Sequence, residues 1–209
     1  MSTARDLAAK AHRVGRTSNG MLMTPEEYNA VNDYDDRYRY ELIHGVLVVS
    51  PFASPAERDP NGQLEYLLRS YKATHPQGST LDRTLMERYV ALPDSRRRAD
   101  RVIWTGLGRV PDEKTDEPSI VVEFVSKATR DRTRDYVEKR RDYLELGVAE
   151  YWVIDRFRQT MTVFRKPPAE PVELVLDAKA TYHAPLLPGF ELKLAELLDL
   201  ANDWSRKSK

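Results

Sequence analysis

The chain contains no cysteine, which excludes disulfides and cysteine-ligated metals and leaves the redox compartment open. Net charge is also missing, because 33 lysines and arginines are matched by 33 aspartates and glutamates. No overall field favours nucleic acid or an acidic partner, so any basic surface must be local. Long apolar runs are absent too, with nothing approaching the roughly 20 residues of a membrane span. The N-terminal segment MSTARDLAAKAHRVGRTSNG lacks the apolar core of a secretory signal. A soluble protein of the cytoplasm is the expectation, with no membrane partner.

What remains is ample for one domain. The 209 residues are 41% hydrophobic and 32% charged, enough for a real core under a heavily charged surface. Residues 1–20 are small, basic and polar and read as a flexible extension. Residues 21–204 read as the folded domain, and 205–209 as a tail. In TPEEYNAVND, Thr24 can cap a helix, Pro25 suits its first position and Glu27 closes a capping box. RYELIHGVLVVSP gives two β-rich runs joined at His44-Gly45, a tight hairpin. SPFASPAERDPNG, with its three prolines, reads as loop. Leu64, Leu67, Leu68 and Tyr71 recur at helical spacing and define an amphipathic core helix. Strands are expected at TLDRTLMERYVALP, ADRVIW, SIVVEFVS, EYWVID and QTMTVFR. RDRTRDYVEKRRDYLELG is a charged helix ended by Gly147. One or two further strands and the helix KLAELLDLAND close the chain. This order of helices and strands predicts an α/β fold around a mixed sheet.

The chemistry concentrates in two strands. Glu123 sits within the apolar run VVEFV, where an ionised carboxylate costs several kcal/mol unless something cationic meets it. Asp100 opens ADRVIW, and if the two strands are neighbours the carboxylates converge. A pair of that kind suits Mg²⁺, which is held by one or two carboxylates together with water and substrate phosphate. The other reading pairs Glu123 with a buried lysine or arginine and leaves Asp100 as a strand cap. In the following helix, Tyr136, Val137, Tyr143, Leu144 and Val148 form an apolar stripe that contains Arg140, with Lys139 on its border. Lys139 is then an ion-pair partner, a catalytic cation or a lysine whose stem lies on the core.

Taken together, ELIHGVLVVSP, ADRVIW, IVVEFVS, the Lys139-to-Tyr143 step and GVAEYWVID resemble the Uma-two family of the PD-(D/E)XK nuclease superfamily. The resemblance runs from about Met23 to Leu198. It implies a single restriction-endonuclease-like domain whose central mixed β-sheet is flanked by helices. It further implies Asp100 and Glu123 as ligands of Mg²⁺ (Mn²⁺ as substitute), Glu41 as a helper close to the same site, and Lys139 as the helix-borne catalytic lysine. The superfamily's Glu-x-Lys would place lysine where this chain has Val125, and Ala99 replaces the proline of the Pro-Asp pair. Lys127 is the competing lysine. His44, in place of the usual aspartate of ELIDG, reads as turn chemistry.

Arg96, Arg97, Arg98 and Arg101 flank Asp100. Beside such a carboxylate pair they read as phosphate contacts, where elsewhere they would be a solvated face. Tyr151 and Trp152 read as core aromatics, and Asp155 either faces the site or starts a turn. The function implied is metal-dependent endonucleolytic hydrolysis of DNA, with a homodimer as the arrangement that would cut both strands. The alternative is a nuclease-fold module that binds nucleic acid or protein without cleaving.

Overall fold

The computed structural model describes residues 13–126 and 134–206. Two compact units emerge, one from the segments ending at Phe52 and spanning Tyr89–Arg98, the other from Ala53–Arg88 and the chain from Ala99 onward.

In the first unit, helix α1 (Pro25–Ala30) begins as its sequence dictates. The Thr24 hydroxyl accepts the Glu27 N–H at 3.2 Å, and the Glu27 carboxylate accepts the Thr24 N–H at 2.9 Å. Strands β1 (Arg39–Ile43) and β2 (Val46–Ser50) form an antiparallel hairpin. Its two-residue turn needs positive φ twice, and His44 and Gly45 supply it at 48° and 76°. The His44 ring, with Nδ1 2.8 Å from Asp94, ties this turn down. Val14, Met23, Tyr28, Tyr40, Leu42 and Leu47 make the core. Because Val14 is buried and bridges to Tyr34, the packed chain starts ahead of residue 20.

The second unit carries the mixed sheet. Helix α2 spans Pro55–Thr74, so residues 55–62 are helix and not the loop their prolines suggested. Pro55 occupies the first turn, where a missing N–H costs nothing, and Glu57 accepts from the N–H and hydroxyl of Ser54. Strand β3 (Leu81–Ala91) lies within its expected segment, whereas β4 (Arg96–Thr105) is longer than expected, because the arginine run opens it. The sheet continues through β5 (Ile120–Phe124), β6 (Glu150–Asp155), β7 (Thr160–Arg165) and β8 (Glu173–Asp177). Pairing is parallel between β5 and β6 and antiparallel at the other steps from β4 to β8. Between β5 and β6 lie a π-helical turn (Arg134–Lys139) and helix α3 (Arg140–Leu146), which Gly147 ends at φ 115°. A small hairpin, β9 (Thr181–His183) with β10 (Glu191–Lys193), precedes α4 (Leu194–Arg206). The C-terminal region therefore holds three strands where one or two were expected.

Strand alternation assigns the two sheet faces. Ile120, Val122, Phe124, Trp152, Ile154 and Val163 pack with Leu64 and Leu68 of α2 and Leu197 of α4. The opposite face carries Glu123 and Tyr151, and Tyr143 of α3 lies against Tyr151 with ring centroids 5.2 Å apart. Among the described residues, no helix is long and apolar enough to cross a membrane.

Candidate active site

Strands β4 and β5 are registered antiparallel from Ile103↔Ile120 to Arg101↔Val122. One step further, Asp100 and Glu123 stand opposite each other, the position in which side chains of neighbouring strands meet. The Phe124 N–H donates to Asp100 Oδ2 at 2.8 Å, which holds that carboxylate against β5. Glu123 is buried, and Lys139 Nζ lies 2.8 Å from its Oε1. The Tyr143 hydroxyl donates to the same oxygen at 3.2 Å. Lys139 also approaches Asp135 Oδ1 at 3.6 Å. Burial lifts the Glu123 carboxyl well above its ordinary range; Lys139 pulls it back, while Asp100 and Asp135 push it higher.

Lys139 is where periodicity misleads. The 3.6-residue wheel puts Val137 in the apolar stripe and Lys139 on its border. In the structure Val137 is 61% exposed and Lys139 2%. Lys139 precedes the buried Tyr143 by four residues and shares its face of the helix, whereas Val137 precedes it by six and does not. Arg140, in contrast, keeps its place near the core with its guanidinium 4.2 Å from the Phe164 ring centroid. Lys127, the competing lysine, lies outside the described residues, as do the arginines at 130 and 132.

The remaining candidates separate. Glu41 belongs to the first unit, where it is buried on β1 and accepts the Arg98 N–H at 3.0 Å. The four arginines do not form one phosphate-binding run. Alternation along β4 buries Arg97 and Arg101 completely, while Arg96 and Arg98 are half-buried. Arg96 donates to Asn29 and to the Leu92 and Ser95 carbonyls, and Arg98 lies 5.6 Å over the Tyr89 ring. Arg101 is spent on Asn61, Thr84 and Glu65. Arg101 is thus buried and held by protein partners, and Arg97 shares that burial. Tyr151 and Trp152 are core residues. Asp155 is fully buried at a turn, accepting from the Phe157 and Arg158 N–H groups and from the Tyr136 hydroxyl. Sequence reading missed Asp135, Tyr143 as a partner of Glu123, and Asn61. The i,i+4 spacing of Asp135 and Lys139 was the available signal for the first.

The Uma2 family model, described as "Putative restriction endonuclease", matches residues 25–195. This chain belongs to the Uma2 family. A crystal structure described as a putative nuclease belonging to DUF820 from Anabaena variabilis resembles the Uma2 chain with a TM-score of 0.65 at 18% identity. The match covers 86% of this chain and 99% of that one, and it shows a shared fold. The type IIG restriction endonuclease BpuSI matches more weakly, with a TM-score of 0.37 and 15% identity over 75% of this chain and 17% of its own. Comparison with curated proteins gives no significant match.

Asp100 and Glu123 offer carboxylate oxygens, the donor type that a hard divalent cation takes. Among the described residues, no group of three or more histidines, aspartates and glutamates is placed to hold an ion. Two carboxylates on neighbouring strands are the number of protein ligands that Mg²⁺ and Mn²⁺ commonly take.

Proposed function

We propose that this Uma2 protein is a metal-dependent nuclease that hydrolyses phosphodiester bonds in DNA. The observation carrying this reading is the Lys139 ammonium on the Glu123 carboxylate, with Asp100 facing it from the neighbouring strand. A buried ion pair of this kind rarely improves on an apolar core as a source of stability, so a functional reason for it is favoured. Asp100 and Glu123 would hold a divalent ion, which when bound activates water and neutralises charge on the phosphate. Lys139 holds its proton beside that centre, where its ammonium can orient the attacking water and stabilise developing anionic charge. The Tyr143 hydroxyl and Asp135 fix the two ends of the Glu123–Lys139 pair. Two copies acting together would cut both strands.

The test is incubation of purified protein with supercoiled plasmid, linear duplex and single-stranded DNA, with Mg²⁺, Mn²⁺ or EDTA. Metal-dependent cleavage that Glu123→Gln lacks supports the assignment. DNA binding without cleavage in any metal would instead make this a binding module of nuclease fold.

The split among the arginines gives a second measurement. If Arg96 and Arg98 touch phosphates, replacing both with alanine flattens the log–log salt dependence of duplex binding by about 0.9 for each phosphate no longer neutralised. Arg101→Ala should leave that slope unchanged and lower the melting temperature, because its guanidinium is buried among α2 and β3 side chains. Fluorescence anisotropy across a series of salt concentrations, without divalent metal, reads both. An unaltered slope in the Arg96/Arg98 variant would return those residues to ordinary surface.

A further inference from the structure

Asn61 lies early in α2, behind the sheet face that carries Glu123, and is itself buried. Its amide is used at both ends. Nδ2 donates to the Asp100 carbonyl at 3.0 Å, and Oδ1 accepts from Arg101 Nε at 2.7 Å. The Asn61 carbonyl accepts a second bond from the same guanidinium at 3.0 Å. The orientation of the amide is forced, because a guanidinium only donates and so must face Oδ1. Arg101 is anchored further by Thr84 Oγ1 at 2.8 Å and Glu65 Oε2 at 3.0 Å.

This network sits at one particular place in the chain. Arg101↔Val122 is the last registered pair of the β4–β5 ladder before Asp100. Asn61 therefore grips the peptide between Asp100 and Arg101 from behind, while the Phe124 N–H grips the Asp100 carboxylate from the side. Burying an arginine and an amide costs more desolvation than a leucine and an alanine would in the same core. What such a network supplies in exchange is direction: ligand geometry has to be held within roughly 0.5 Å and 10–20°.

We propose that Asn61 is a positioning residue for Asp100, aiming its carboxylate at the point it shares with Glu123. The inference rests on the reading of Asp100 and Glu123 as metal-holding residues. Supporting partners of this type typically change metal affinity by about 10- to 100-fold when removed.

Mn²⁺ binding to the full chain, measured by calorimetry without DNA, tests it. Asn61→Asp keeps an acceptor for Arg101 and removes the donor to Asp100. Its added negative charge would by itself attract the ion, so weaker binding can only come from altered geometry. The expected result is a folded protein, by circular dichroism, that binds Mn²⁺ about 10- to 100-fold more weakly. Asn61→Ala, whose small cavity admits water to both orphaned groups, should show the same weakening and serves if the aspartate variant does not fold. Tyr182→Phe removes buried hydrogen bonds to Glu150 elsewhere in the unit and should lower stability without changing Mn²⁺ affinity. Wild-type affinity in either Asn61 variant overturns the proposal. A wild-type protein that binds no Mn²⁺ overturns instead the metal reading on which it stands.

Discussion

Glu123→Gln is expected to abolish cleavage and the rise in melting temperature caused by Mn²⁺, while leaving the metal-free protein folded. Losing a ligand removes several kcal/mol of charge stabilisation, which corresponds to on the order of 10³-fold in rate. The stabilising effect of metal disappears with it, because mass action requires an ion that binds the native state. The cost in the metal-free protein is set by what Lys139 retains. With Glu123 neutral, Lys139 still has Asp135 at 3.6 Å, so it is not a stranded cation. Stability should therefore change by less than the roughly 3–5 kcal/mol that follows when one member of a buried pair is removed. Thermal melts of both proteins with EDTA and with Mn²⁺ give the answer. A wild type indifferent to Mn²⁺, beside a Glu123→Gln variant that melts far lower in either condition, would make the pair purely structural.

Lys139→Met should remove cleavage and also destabilise the fold by about 3–5 kcal/mol at neutral pH. Methionine replaces the buried stem, but it leaves the Glu123 carboxylate facing Asp100 without the ammonium that lay 2.8 Å away. The pH dependence has a defined sign. The folded Glu123 carboxyl already lies above its reference value of 4.5 through burial, and removing Lys139 takes away an influence that lowers it. A carboxyl raised in the folded state favours folding when protonated and loses that contribution as pH rises. The deficit of Lys139→Met relative to wild type should accordingly shrink as pH falls toward the unfolded value and grow as pH rises above it. Urea titrations from mildly acidic to mildly alkaline pH would show this, and a deficit that is flat across that range would mean altered packing, and not the stranded carboxylate, dominates. Divalent metal should restore part of the stability, since a cation re-enters the carboxylate pair.

Much of the scaffold could be read one segment at a time. Thr24, Pro25 and Glu27 specify a helix start through short-range contacts, and His44-Gly45 specifies a two-residue turn through backbone conformation alone. Leu64, Leu68 and Tyr71 mark the buried face of α2. The prolines at 55 and 60 concealed the first turns of that helix, because a proline tolerated within a helix carries the same local signature as one in a loop.

The sequence by itself determined that an acid would be buried in β5, that it would need a partner, and that Asp100 was available on another strand. The tertiary structure alone decided which cation meets it. Lys139 enters the core because the face of the helix that packs on the sheet is the one it shares with Tyr143, and Val137 lies off that face. Arg101 turns to Asn61, Thr84 and Glu65 because β4 has a face directed at α2, so a basic run in sequence becomes two populations in space. Capping and periodicity are short-range and leave their mark in neighbouring residues. The partner of a buried charge is a long-range contact, chosen by which elements the core brings together, and no local spacing records it.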